Sequence, residues 1–114
     1  MKQIHCPVGE TIRLIGGKYK ALILWFLTEG TLRYGELQKN IPEATPKMLT
    51  QQLRELEADA LIQRTVYPVV PPKVEYSLTD LGKTLVPILE EMYQWGETYL
   101  KKQGICPNCA MKKH

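Results

Sequence analysis

The segment ATPKMLTQQLRELEADALIQR, Ala44 to Arg64, changes periodicity partway along, and this limits the folds open to the chain more than any other feature. Leu49, Leu53, Leu56 and Ala60 recur at intervals of four, three and four, the spacing that puts side chains on one face of an α-helix. Thr45 followed by Pro46 supplies the helix start. The hydroxyl can accept from an orphan backbone N–H, and proline loses nothing at the first helical position. After Ala60 the helical spacing ends. LIQRTVY (Leu61 to Tyr67) is rich in β-branched residues, PVVPP follows, and KVEYSL (Lys73 to Leu78) alternates. This predicts two strands joined by a proline-stiffened loop.

The upstream chain adds four more elements. Val8 to Leu27 is apolar-rich and interrupted by Gly16-Gly17, which predicts a short helix, a break and a second helix. Within YKALILWFL almost every side of that second helix is apolar, so it is expected to be buried on most sides. Leu32 to Tyr34 fits a short strand. Gly35 to Ile41 fits two helical turns with Leu37 and Ile41 inward, and Pro42-Glu43-Ala44 makes a turn before Thr45. Downstream, Thr79-Asp80 caps a long helix whose Leu81, Leu85, Ile88, Met92, Trp95 and Tyr99 form one stripe, widened by Leu89, Tyr93 and Leu100. Pro87 is expected to kink it. If continuous from Thr79 to Lys102, this helix is about 36 Å long at 1.5 Å per residue. Its apolar band is wider than one small core requires, which points to a second copy of the chain as its partner, the alternative being that Trp95, Tyr99 and Leu100 pack only on their own subunit.

Opposite the leucines, Lys47, Thr50, Gln51 and Arg54 lie together along the first two turns of the Thr45 helix. All four can donate hydrogen bonds, and the acids Glu55, Glu57 and Asp59 come only later. A short helix, a tight turn and a second helix with a donor-rich exposed half is the arrangement of a helix-turn-helix, whose second helix enters the major groove of duplex DNA. Arginine or lysine can read guanine there and glutamine can read adenine, while the helix N-terminus favours phosphate. The plain alternative is a solvated helix face. The hairpin that follows turns the motif into a winged helix, with Arg64 and Lys73 placed to contact phosphate. The hairpin tip, Val69 to Pro72, is uncharged and is expected to position the protein by shape. The fold expected is therefore mainly α with a small β-hairpin wing, residues 1–105 forming one domain and residues 106–114 a cysteine-containing tail.

Composition agrees with a single domain: 114 residues, 44% apolar and 24% charged, with a formal net charge of +3 that is compatible with a polyanionic partner without requiring one. The chain has no run of about 18 apolar residues and its first residues lack the apolar core of a signal peptide, so the expectation is a cytosolic protein with no membrane span. In that compartment three cysteines read as thiols or metal ligands and not as a disulfide framework. Cys6 precedes Pro7, and Cys106 and Cys109 form a C-x-x-C. The pair is half of a zinc site that Cys6, His5 or His114 could complete. A disulfide oxidoreductase would need the pair to open a helix after a strand, whereas here it follows a helix. A buried, inert Cys6 with a disordered tail is a further reading. No nucleotide loop or catalytic histidine arrangement is found.

The words HCPV (His5 to Val8), LIGGKY (Leu14 to Tyr19), TPKMLTQQLRELEADALIQRTVYP (Thr45 to Pro68) and VPPKVEYSLTDLG (Val70 to Gly82) resemble the HxlR-type bacterial transcriptional regulators, relatives of the MarR winged-helix proteins. The resemblance runs from about Cys6 to Trp95. It implies a homodimeric DNA-binding regulator, with the terminal helices in the dimer interface and one recognition helix per subunit, Thr45 to about Asp59. Met92, Trp95, Tyr99 and Leu100 are then the expected interface residues. Several members of that family carry a cysteine at the Cys6 position that responds to oxidants or electrophiles, so thiol sensing joins the readings of Cys6, Cys106 and Cys109. Tyr19 stands where the family usually has tryptophan, Ala60 where it usually has glycine, and Val69 where an acid is common.

Overall fold

A computed structural model of the chain describes residues 6–105. Helix α1 (Pro7–Ile15) begins with proline in its first turn and is followed by the Gly16-Gly17 break. Helix α2 (Lys20–Leu27) is the most apolar element. Strand β1 (Leu32–Arg33) leads into α3 (Tyr34–Asn40), and the turn after it into α4 (Pro46–Ala58). Strands β2 (Ile62–Tyr67) and β3 (Lys73–Leu78) form the hairpin, before α5 (Asp80–Lys83) and α6 (Val86–Lys102). The sheet is antiparallel, in the order β1-β3-β2, with Ile62 opposite Leu78 at the base of the hairpin and Tyr67 opposite Lys73 near its tip.

The core forms where α2, α3, α4 and the sheet converge. Ile23, Leu24, Leu37, Ile41, Leu49, Leu53, Leu56, Leu61 and Ile62 are its most deeply buried side chains. Three of these are the α4 leucines predicted to face inward. Truncating one of them to alanine would cost about 2–5 kcal/mol, the range for buried leucines.

Both ends of α4 are determined by local chemistry. Thr45 caps the start, its hydroxyl accepting from Met48 N at 3.1 Å. At the other end Ala60 takes a positive φ of 62°. Ala60 N–H donates to the Glu57 carbonyl and Leu61 N–H to the Leu56 carbonyl, each at 3.0 Å. That pair of bonds is a Schellman cap, usually built with glycine at the left-handed position. Thr79 ties this corner to the next element: its hydroxyl donates to the Ala60 carbonyl at 2.6 Å and accepts from Gly82 N at 3.0 Å. Gly82 lies so close to the Leu61 carbonyl that any side chain would collide with it.

One expectation is corrected. The segment from Thr79 to Lys102 is not a single kinked helix but α5 and α6 separated at Thr84-Leu85. Pro87 has no N–H for the Lys83 carbonyl, so the chain makes a tighter turn, with Thr84 N bonded to Leu81 O and Leu85 N to Gly82 O. Pro87 then falls in the first turn of α6, where no N–H is needed. The proposed stripe is divided accordingly, and α6 alone spans about 26 Å. On α6 it is Leu89 and Tyr93 that face the core, Tyr93 stacking on Trp25 of α2 with ring centroids 5.2 Å apart. Ile88, Met92, Trp95 and Tyr99 point outward.

Candidate nucleic-acid interface

Three side chains on the preceding elements fix the entry of α4. Tyr19 Oη donates to the Glu43 carbonyl at 3.3 Å, Gln38 Nε2 to the Ala44 carbonyl at 2.7 Å, and Tyr34 Oη to the Pro46 carbonyl at 3.2 Å. Three of the four carbonyls from Glu43 to Pro46 are thus held by side chains of preceding elements, while Ile41 and Ala44 are buried beneath. Tyr19, where the sequence departs from its look-alikes, is engaged through its hydroxyl.

The outward face of α4 assembles most of the residues predicted to meet DNA. Pro46, Lys47, Thr50, Gln51 and Arg54 line one open groove of about 630 Å³, together with Glu55 and Ala58. Lys47, Gln51 and Arg54 are exposed and Thr50 is half-buried. Thr45 lies just beyond the N-terminus of the helix as its cap. Arg64 on β2 joins Thr50 and Arg54 in an adjoining hollow of about 340 Å³, which also touches Glu57 and Tyr76. Lys73 is not part of this assembly. It begins β3, its ammonium 3.3 Å from the Glu75 carboxylate and 5.0 Å from the centre of the Tyr67 ring. Burial pushes the Glu75 carboxyl up, but hydrogen bonds from Lys73 and Tyr67 outweigh it and hold the group below its ordinary value. The wing tip is uncharged, with Val70 99% exposed.

Two residues inside α4 were not anticipated. Gln52 is buried on the leucine side, and its Oε1 accepts from Tyr19 N at 3.2 Å. The signal was present: Gln52 stands three residues after Leu49 and next to Leu53, a polar residue on an apolar face. Glu55 forms a 2.7 Å ion pair with Lys20, which is only 7% exposed although it belongs to the most apolar helix. Hydrogen bonds from Lys20 and then Gln51 hold the Glu55 carboxyl below the ordinary carboxylate value.

On α6, Trp95 and Tyr99 stack on each other with centroids 5.5 Å apart, and Trp95 is 71% exposed. They line a surface groove with Glu91, Gln94, Thr98 and Lys102. Met92 is exposed, Leu100 half-buried, and Val8 and Ile12 of α1 present further apolar surface. Cys6 precedes α1 at the N-cap position and is exposed, contrary to the reading of a buried thiol. Its carbonyl accepts from Glu10 N at 2.8 Å. Cys106, Cys109, His5 and His114 lie outside the described residues. Among the described residues no group of three or more histidine, cysteine or acidic side chains is gathered to hold a metal ion, and no helix is long and apolar enough to cross a membrane.

A helix-turn-helix with an exposed donor face, followed by an antiparallel hairpin, defines a winged-helix DNA-binding protein. The family model described as HxlR-like helix-turn-helix matches residues 14–104, and the chain belongs to that family. The HTH-type transcriptional regulator YdeP of Bacillus subtilis (strain 168) is 53% identical over 94 residues, covering 82% of this chain and 73% of its own length. Among solved structures, the HTH-type regulator ytcD superposes with a TM-score of 0.81 at 49% identity, covering 85% of this chain and 99% of that one. The redox regulator HypR in its oxidized form does so with a TM-score of 0.79 at 50% identity, covering 82% and 96%. The family comprises DNA-binding transcriptional regulators of MarR-like fold, not enzymes.

Proposed function

We propose that this transcriptional regulator acts as a homodimer on an inverted-repeat operator, with α4 of each subunit in the major groove and the wing alongside. The observation that carries the reading is the groove on α4, where Lys47, Thr50, Gln51 and Arg54 come together on a helix whose entry is fixed by Tyr19, Tyr34 and Gln38. Arg54 and Gln51 read base edges. Lys47, Thr50 and Arg64, with the cap at Thr45-Pro46, position the phosphates. Lys73 acts on phosphate only by leaving Glu75. The outward residues of α6, Met92, Trp95 and Tyr99, with Leu100 at its end, form the two-fold interface. A two-fold dimer of this kind sets its recognition helices about 34 Å apart, one turn of DNA.

The exposed thiol of Cys6 supports regulation by oxidants or electrophiles, and HypR, similar over most of the chain, is described as a redox regulator. Cys106 and Cys109 are the further thiols available to such a response. The experiment is a titration against duplex from the upstream region of its own gene and a scrambled control, with and without diamide, which takes up the two thiol hydrogens as a disulfide forms. Tight, salt-sensitive binding to one duplex that changes on oxidation is expected. Binding indifferent to oxidation would remove the thiol role. Binding without preference for any duplex would leave a protein-interaction role for the same face. Arg54→Ala should weaken the preference for the operator by about 1–3 kcal/mol.

A further inference from the structure

Lys20, Glu55 and Gln51 form a chain that runs from the buried scaffold to the exposed face of α4. Lys20 is nearly buried, and a charged amine in that position requires an anion within contact distance. Its stem lies against Gly17, where even a methyl group would come within 2.9 Å of Lys20 Cδ and 3.0 Å of Cε. The ammonium is therefore delivered to one place, 2.7 Å from Glu55 Oε1. The other oxygen, Oε2, accepts from Gln51 Nε2 at 3.2 Å. With a different partner on each oxygen, the carboxylate is fixed about its last bond, and so is the Gln51 amide that it holds.

We infer that Glu55, anchored by Lys20, is a positioning residue that sets the orientation of the Gln51 amide and thereby the base preference of the recognition helix. The inference rests on the reading of α4 as the base-contacting helix. One Nε2 hydrogen of Gln51 is taken by Glu55, leaving the other hydrogen and Oε1 as an adjacent donor and acceptor. Adenine offers the complementary pair in the major groove, N7 as acceptor and N6 as donor. A freely rotating amide presents its donor and acceptor in either order along the groove. An amide held at Nε2 presents one order, with the donor toward Glu55, and so distinguishes A·T from T·A. A carboxylate beside the phosphates would otherwise weaken binding to all DNA, and the Lys20 ammonium compensates it at contact distance.

The two roles open to Glu55 predict opposite results. If it acted only as a negative charge, Glu55→Gln would strengthen binding to every duplex and leave base preference alone. As a positioning residue, its replacement matters at one base pair. Glutamine at 55 keeps an oxygen for Lys20 but turns a donor toward Gln51, which must then flip its amide. The test uses an operator selected from a randomised duplex pool, a set of duplexes replacing each base pair of it in turn, and a scrambled duplex, titrated with wild type, Glu55→Gln, Gln51→Ala and the double variant. Gln51→Ala should lose preference at one base pair per half-site. Glu55→Gln should lose about five- to tenfold of preference at that same pair, with no further loss in the double variant and no weakening on scrambled duplex. If Glu55→Gln does not fold, combining it with Lys20→Met leaves no buried charge and removes the anchor itself, so the Gln51 amide is no longer held in one order and the same base pair should lose its preference. Full preference in Glu55→Gln where Gln51→Ala loses it overturns the inference and leaves the proposed function standing. Full preference in Gln51→Ala overturns both the inference and the base-reading role of Gln51, and failure to select any sequence overturns the proposed function itself.

Discussion

Ala60 occupies a left-handed position with φ of 62° in a cap whose two backbone bonds are both made. A β-carbon is disfavoured there, so Ala60→Gly should stabilise the fold by about 0.5–1 kcal/mol, visible as a higher denaturant midpoint with an unchanged slope. Glu55 gives a pH-dependent prediction. Its carboxyl is held low by the hydrogen bonds from Lys20 and Gln51, so the folded state binds its proton less readily than the unfolded chain. The resulting stability is fully present above the ordinary carboxylate range and is lost as the pH falls through the lowered value. Denaturation series from neutral to acidic pH should therefore show wild type more stable than Glu55→Gln near neutrality, with the gap closing in acid. A gap that does not depend on pH would show that the pair contributes no such linkage. Residues of this kind were the least legible in the sequence. Lys20 and Glu55 are 35 positions apart, and nothing local indicates that a lysine inside KALILWFL points at a glutamate on another helix.

At the scale of elements the sequence was informative where chemistry is local and silent where it is not. Thr45-Pro46 and the change of periodicity after Ala60 place both ends of α4 within two residues of where they stand, because caps and turns are decided by immediate neighbours. The hairpin follows from alternation and from the prolines between its strands. The final helix was misjudged because its apolar spacing runs on through Thr84-Leu85 while the hydrogen-bond ladder does not. Periodicity reports faces, not bonds, and Pro87 divides the segment without disturbing the pattern. The candidate interface was legible as a face but not as an assembly: Lys73 and Arg64 are equivalent as basic strand residues, but in the fold Lys73 is engaged by Glu75 and Tyr67. One contact between elements is directly testable. Thr79 both caps α5 and donates to the Ala60 carbonyl, so Thr79→Ala should cost about 1–2 kcal/mol. A loss of only a few tenths in chemical denaturation would mean that the corner is held by packing alone.

For the whole molecule, apolar side chains remain uncovered on α1 and α6. Trp95, Met92, Ile88 and Tyr99 on α6 and Val8 and Ile12 on α1 are exposed in the single chain. In the proposed dimer, Trp95→Ala is expected to weaken self-association by at least tenfold in sedimentation, as removal of a buried interface aromatic often does. An unaltered dimer would place Trp95 outside the contact.

The strand order has a consequence for solubility. With β3 in the middle, β2 and the two-residue β1 form the edges of the sheet among the described residues. Open edges invite pairing with strands of other chains and, at high concentration, aggregation. Here β1 is too short to serve as a template, and β2 carries Arg64 and runs into Pro68, which has no N–H to offer. The hairpin can therefore project far from the core, with Val70 almost fully in solvent, while giving a neighbouring sheet little to add to.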